Sequence, residues 1–226
     1  MSKLAIVGYG KMGKLIDRLA AEFDFEVIAR IDVGDDLAPA AGADVAIEFT
    51  TPEAAMVNIE KLAAMRVPVA VGTTGWGKEM ERARAAIDRH QSAMVWSPNF
   101  SIGVNVFARL VREAARLLKD QPEYGAWAWE IHHNTKKDAP SGTLLKLVES
   151  MKEGGYARPI DASSNRAGAH PGTHEIGFDS AADTITLRHS ARSREGFARG
   201  ALKAAQWIIG KQGVYEFSDV LFGGHS

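Results

Sequence analysis

The sequence contains no cysteine. Disulfides, thiolate metal sites and cysteine nucleophiles are therefore excluded. It also lacks any apolar run approaching the ~20 residues of a membrane span. The apolar stretch of its start, Met-Ser-Lys-Leu-Ala-Ile-Val-Gly, is far too short for a secretory signal core. Nor is there an excess of charge of one sign. Lys and Arg number 27 against 28 Asp and Glu, so no global field draws in nucleic acid or a membrane surface, although local basic clusters can still serve small anions. What remains is a 226-residue chain, 46% hydrophobic and 24% charged, with the balance of an ordinary globule large enough for one domain or two small ones. The expectation is a soluble cytoplasmic protein without nucleic-acid or membrane partners.

Patterning divides the chain. Up to Phe100, short apolar runs alternate with helical periodicity. Strands are expected at 4–7, 25–31, 45–49, 67–71 and 93–96, and helices at 12–23, 52–64 and 79–90, with Thr51 as N-cap and Pro52 in the first turn. Such alternation implies a parallel α/β sheet with right-handed crossovers. Beyond Phe100 the pattern changes. An amphipathic helix over 104–118 precedes a strand over 126–132, where Trp127, Trp129 and Ile131 alternate with Ala128, Glu130 and His132. A helix at 143–151, alternating strands at 174–178 and 184–189, and a helix at 197–209 follow. The boundaries expected are a first domain of 1–102 completed by 196–226, and a second of 103–195.

Gly8-Tyr9-Gly10-Lys11-Met12-Gly13 fits G-x-G-x-x-G. The pattern alone is weak, but here it follows a strand and opens a helix, the context a dinucleotide site needs. Gly8 permits the turn, Gly10 lets backbone approach a pyrophosphate, and Gly13 lets helix and strand pack closely. The helix start adds free N–H groups and partial positive charge. Asp32, 19 residues beyond Gly13 at the end of the second strand, stands where an acid bonds a ribose 2′-hydroxyl. It repels a 2′-phosphate and so favours NADH over NADPH, a preference Lys11 softens. Loops at the same sheet edge, with Phe49 and Thr50, with Gly72, Thr73 and Thr74, and with Ser97, Pro98, Asn99 and Phe100, suit ribose and carboxamide contacts. Together they make the first domain a Rossmann dinucleotide-binding domain. Arg194 and Phe197, leading into the last helix, are candidates for the nicotinamide end.

The densest chemistry runs from Glu130 to Thr143. His132 and His133 leave a strand, Lys136 and Lys137 follow, and Ser141-Gly142-Thr143 opens a helix. Ser141 is an N-cap candidate, and the amides of Gly142 and Thr143 lie at the positive end of the helix, a seat for a carboxylate. Lys136 and a histidine can hold a second one, and a histidine near its reference pKa of ~6.5 can act as an acid. No metal is expected, since adjacent strand residues such as His132 and His133 point to opposite faces. The stretches around Arg166 to His174 and Ser193 to Phe197 read as cationic, flexible loops.

These residues carry a resemblance. The glycine-rich loop, Gly72-Thr73-Thr74-Gly75, Asn99 to Asn105, and above all His132-His133 through Lys136 to Asp138-Ala139-Pro140-Ser141-Gly142-Thr143 resemble the 4-hydroxy-tetrahydrodipicolinate reductase family, formerly dihydrodipicolinate reductase, of bacterial lysine and diaminopimelate synthesis. Arg166, Gly168, Gly172 and His174 match a further pattern of it, and the resemblance covers nearly the whole chain. It implies a Rossmann domain plus a mixed α/β substrate-binding and oligomerisation domain whose open sheet builds a homotetramer. It implies NAD(P)H-dependent reduction of a cyclic hydroxy-imine dicarboxylate, with His132 as proton donor and Lys136 its catalytic partner. His133, Lys136, Ser141, Gly142 and Thr143 take the substrate-binding positions. The chain departs from the family in three ways. It is short in the loop after the second strand, no Arg follows Asp32, and Asn134 and Thr135 replace basic residues of some relatives. Two other readings stay open from the residues: a different amino-acid dehydrogenase acting on aspartate or diaminopimelate, and a non-catalytic dinucleotide sensor.

Overall fold

The computed structural model describes residues 1–223. The chain forms two compact units, one of Met1–Ser101 with the segment from Glu195 onward, the other Ile102–Arg194.

In the first unit β1 (Ser2–Val7), β2 (Phe25–Ile31), β3 (Val45–Glu48), β4 (Val69–Val71), β5 (Ala93–Trp96) and β10 (Gly213–Glu216) form one parallel sheet in the order β10-β5-β4-β3-β1-β2. The helices α1 (Lys11–Ala20), α2 (Pro52–Ala64) and α3 (Met80–His90) make the crossovers, and α6 (Glu195–Ile208) and α7 (Phe217–Phe222) complete the unit. The central strands are buried on both faces, which is why they read as continuous apolar runs rather than alternating ones. The chain leaves β1 for β2 on one side, while β3 lies on the other. That reversal opens a crevice at the carboxyl ends of β1 and β3, where open α/β sheets take ligands.

The second unit holds a mixed four-stranded sheet. In it β6 (Gly125–His132) runs parallel to β7 (Ile160–Arg166) and antiparallel to β8 (Thr173–Asp179), which pairs with β9 (Thr184–Ser190). Its core joins Ala128, Ile176 and Phe178 of the sheet to Phe107, Val111 and Ala115 of α4 (Ile102–Leu118) and to Leu144, Leu147 and Met151 of α5 (Gly142–Glu153). The pleat turns Trp127, Trp129 and Ile131 to the opposite face, where they are half-buried.

Three elements escape the patterning. β7 has the sequence Ile-Asp-Ala-Ser-Ser-Asn-Arg, too polar to alternate visibly. β10 and α7 are four- and six-residue segments after the expected final helix. The apolar stripe of α4 is also wider than its buried face: Leu110 and Leu117 remain 55% and 60% exposed.

Candidate functional site

The glycine loop leaves β1 and enters α1 as its sequence requires. Gly8 has φ +98°, and a Cβ there would lie 2.0 Å from the carbonyl oxygen of Phe49; one on Gly13 would lie 2.3 Å from that of Gly8. α1 starts at Gly10 without a side-chain cap and without an acid in its first turn, so its amides stay available to an anion. A cleft of about 450 Å³ opens beside it, lined by Gly10, Lys11, Met12, Phe49, Thr50 and Pro52 together with Gly72, Thr73 and Thr74. The fit to a dinucleotide rests on this cradle of close backbone, which a side chain would fill.

The other expected cofactor residues stand apart from the cleft wall. Tyr9 donates its hydroxyl to Asp17, which also pairs with Arg30. Asp32 is exposed just past β2, its carboxylate accepting the Val33 amide at 2.8 Å. Ser97, Pro98, Asn99 and Phe100 form a pinned turn after β5. The Ser97 hydroxyl donates to the Asn99 carbonyl, and Phe100 is buried between Phe49 and Phe217. Arg194 is exposed before α6, and Phe197 is half-buried in its first turn.

The second cluster is built around Glu130, fully buried in β6. Its Oε1 accepts the Ser141 amide at 2.8 Å, the Ser164 hydroxyl at 2.9 Å and the Arg166 guanidinium at 3.0 Å. Its Oε2 accepts the Ser141 hydroxyl and lies 3.3 Å from His174 Nε2 and 3.4 Å from His132 Nδ1. Burial alone would raise the carboxyl pKa, but the hydrogen bonds from Ser141, Ser164 and Arg166 outweigh it and hold it below the ordinary value. Ser141 is the N-cap of α5, accepting the Leu144 amide at 3.1 Å. Arg166 also donates to the Asp138 carbonyl, tying the turn after β6 to β7.

The His132 and His174 rings meet edge-to-face, 5.0 Å between centroids. Burial lowers both pKa values, His174 to about 4. The free protein thus departs from a histidine near its reference value: His132 lacks solvent, and Lys136 and Arg166 add positive charge. Lys136 is half-buried and grips both Asp138 oxygens at 2.8 and 2.9 Å. His133 Nδ1 lies 2.7 Å from the Thr135 hydroxyl. Gly142 and Thr143 form the first turn of α5.

Among the described residues, Glu130, His132 and His174 are the group placed to share a metal. The cross-strand His132–His174 pairing was invisible in sequence, because it needs the β6–β8 register. Ser164 was missed with its strand. Glu48, Asn58 and Pro52 were also missed, although an acid ending the apolar run Val45-Ala46-Ile47 was a visible anomaly.

Fold, cradle and cluster together define a two-domain α/β oxidoreductase of the pyridine-nucleotide-dependent kind. The chain belongs to the dihydrodipicolinate reductase family: the model of the family's N-terminus matches residues 2–100 and that of its C-terminus residues 103–221. It is 34% identical to the 4-hydroxy-tetrahydrodipicolinate reductase of Christiangramia forsetii, over 96% of this chain and 97% of that one. It is 37% identical to that of Archaeoglobus fulgidus, over 94% and 96%. In structure it is similar to a dipicolinate-bound dihydrodipicolinate reductase from Paenisporosarcina, with a TM-score of 0.79 at 21% identity, covering 96% of this chain and 97% of the other. An aspartate dehydrogenase from Thermotoga maritima shares the fold more loosely, with a TM-score of 0.54 at 11% identity.

Proposed function

We propose that the protein reduces 4-hydroxy-tetrahydrodipicolinate to tetrahydrodipicolinate with NAD(P)H, consuming one proton and releasing water and oxidised cofactor. The observation that carries this reading is the Glu130 cluster. It sets an acid–base histidine, a lysine and a capped helix start within one short stretch, and these are the groups a ring dicarboxylate needs. One substrate carboxylate docks on the amides of Gly142 and Thr143. His133 and Lys136 hold the other, Lys136 exchanging Asp138 for substrate.

The bound nicotinamide supplies hydride; Gly8, Gly10 and Gly13 let backbone approach its pyrophosphate, with Tyr9, Lys11 and Met12 in the same loop. Phe49, Thr50, Gly72, Thr73 and Thr74 line the cleft. Ser97, Pro98, Asn99 and Phe100 back it, and Arg194 and Phe197 serve its nicotinamide end. Asp32 accepts from the ribose hydroxyls and favours NADH. Once the 4-hydroxyl has left as water, hydride added to the resulting conjugated imine builds electron density, which Lys136 stabilises and His132 quenches with a proton. His132 is buried and poorly charged when free. A dianionic substrate beside it raises its pKa, so that it takes up from water the proton it must give.

The protein works in the cytoplasm as a homotetramer built on the face carrying Trp127 and Trp129. Among the described residues no helix is long and apolar enough to cross a membrane.

The deciding experiment follows nicotinamide absorbance with substrate made in situ from pyruvate and aspartate semialdehyde by dihydrodipicolinate synthase. NADH and NADPH are run in parallel, with aspartate as a control substrate. Oxidation that depends on the synthase product, faster with NADH, is expected. Oxidised cofactor reduced by aspartate instead would move the assignment to an aspartate dehydrogenase. Cofactor binding without turnover of either would make the protein a sensor.

A further inference from the structure

Glu48 ends β3 with a side chain that is fully buried, yet it does not line the cleft. Its Oε1 accepts the Thr50 amide at 3.1 Å, the Thr50 hydroxyl, and the Asn58 amide group at 3.4 Å. The Thr50 amide is shared with the Thr73 hydroxyl at 2.7 Å. Asn58 of α2 reaches the Thr50 hydroxyl as well, at 3.3 Å. Thr73 is held from behind, its carbonyl accepting the buried Trp76 indole at 2.7 Å. The Glu48 backbone joins in, its carbonyl accepting the Gly72 amide at 2.9 Å. Gly72 lies flat on the Phe49 ring, where a Cβ would come within 2.2 Å. The loops after β3 and β4 are thus held to each other at the Thr50 amide, which the Glu48 carboxyl and the Thr73 hydroxyl share beneath the cleft.

A buried carboxyl is costly unless both its oxygens are hydrogen-bonded, and an apolar residue in this strand would pack without that cost. The second oxygen, Oε2, is buried without a hydrogen-bond partner. Burial pushes the carboxyl pKa up, and the bonds from Thr50, Thr73 and Asn58 only partly offset it. A neutral side chain of the same shape therefore reproduces most of what Glu48 does.

We propose that Glu48 is a positioning residue for the dinucleotide: by fixing Thr50 and Thr73 against one another it sets the cleft wall that the cofactor meets. It touches neither cofactor nor substrate, and it acts on cofactor affinity rather than on the chemistry at His132. The inference rests on the reading that the cleft takes NAD(P)H.

The test is direct titration of NADH fluorescence, with no turnover needed, on wild type, Glu48→Ala and Glu48→Gln, alongside circular dichroism and steady-state kinetics. Wild type binding NADH establishes the cleft's ligand; failure of that binding overturns the functional reading and the inference with it. Given binding, Glu48→Ala is expected to weaken Kd by about tenfold or more, the scale of losing a buried acceptor. The KM for the dicarboxylate should stay within about twofold. Glu48→Gln, which keeps the acceptor, should restore Kd to within about threefold of wild type. Should Glu48→Ala not fold, Glu48→Asp, whose carboxyl is retracted from Thr50, must show the same loss. An unchanged Kd in a folded Ala or Asp variant, or Gln no better than Ala, overturns the proposal while leaving the reductase assignment intact.

Discussion

Glu130 and Ser141 are joined twice: the Ser141 amide donates to one carboxylate oxygen at 2.8 Å and its hydroxyl to the other. The same hydroxyl caps α5. One carboxylate thereby fixes the helix start proposed to receive a substrate carboxylate, and also holds Arg166, whose side chain is 17% exposed. Glu130→Ala strands that guanidinium and frees the cap. It is expected to destabilise the fold by about 3–5 kcal/mol, the range for breaking a buried pair from one side. Urea denaturation checks it. A loss below about 1 kcal/mol, the value of a surface pair, would mean the cluster is not a structural hub.

His132 and Lys136 flank the same turn but do different work. His132→Gln removes the proposed proton donor, and Lys136→Ala the cation proposed to face the developing charge. Each should lower the reduction rate by roughly 10²–10⁴-fold. NADH affinity should survive both, because neither residue belongs to the unit that holds the cleft. Wild-type turnover in either variant would show that the residue has been given the wrong role.

The buried histidines set a pH dependence of stability. His174 has a folded pKa of about 4 against an ordinary 6.5, so the fold favours its neutral form. The unfolded chain takes up the proton first as pH falls. Stability is therefore full above about pH 6.5 and is lost as pH drops from there towards about 4. The loss from this group between pH 7 and 5 is about 2 kcal/mol. His132 and His189, also lowered by burial, add to it in the same direction. Glu130, whose folded pKa is depressed, contributes a further loss at more acid pH, below the ordinary carboxylate value. Denaturation midpoints across this range test the slope, and His174→Asn should flatten it. A slope unchanged by that substitution would mean that the His174 pKa is the same in the folded and unfolded chain.

The parallel sheet was legible because its strands are buried on both faces and are separated by helices with clear periodicity. The glycine loop was legible because Gly8 and Gly13 meet backbone where no side chain fits, and such constraints leave a trace in residue type. Ser141 was legible as a cap for the same reason. β7 was not: its residues are kept by their partners in β6 and by Glu130, not by an apolar face. The pairing of His132 with His174 depends on strand register, which no local pattern encodes. Glu48 left only an acid at the end of an apolar run, since its network runs through Thr50 to Asn58 of α2 and to Thr73 after β4.

The proposed assembly face is the side of the mixed sheet away from its core. Trp127, Trp129 and Ile131 alternate with the core-facing residues of β6, and across the sheet Trp129 pairs in register with Glu175, which pairs with Arg188. Arg188 and Glu175 form an ion pair at 2.7 Å. Two tryptophans on a half-buried sheet face, crossed by a paired charge row, make a surface suited to meeting a second copy of itself in an isologous contact. Sedimentation is expected to give four chains, and Trp129→Glu, which buries an unpaired charge in that contact, should release smaller species with each chain still folded. The exposed leucines of α4 offer the competing surface. If Leu110→Lys splits the assembly while Trp129→Glu leaves it whole, the interface lies on the helix and not on the sheet, and a monomeric wild type would rule out both.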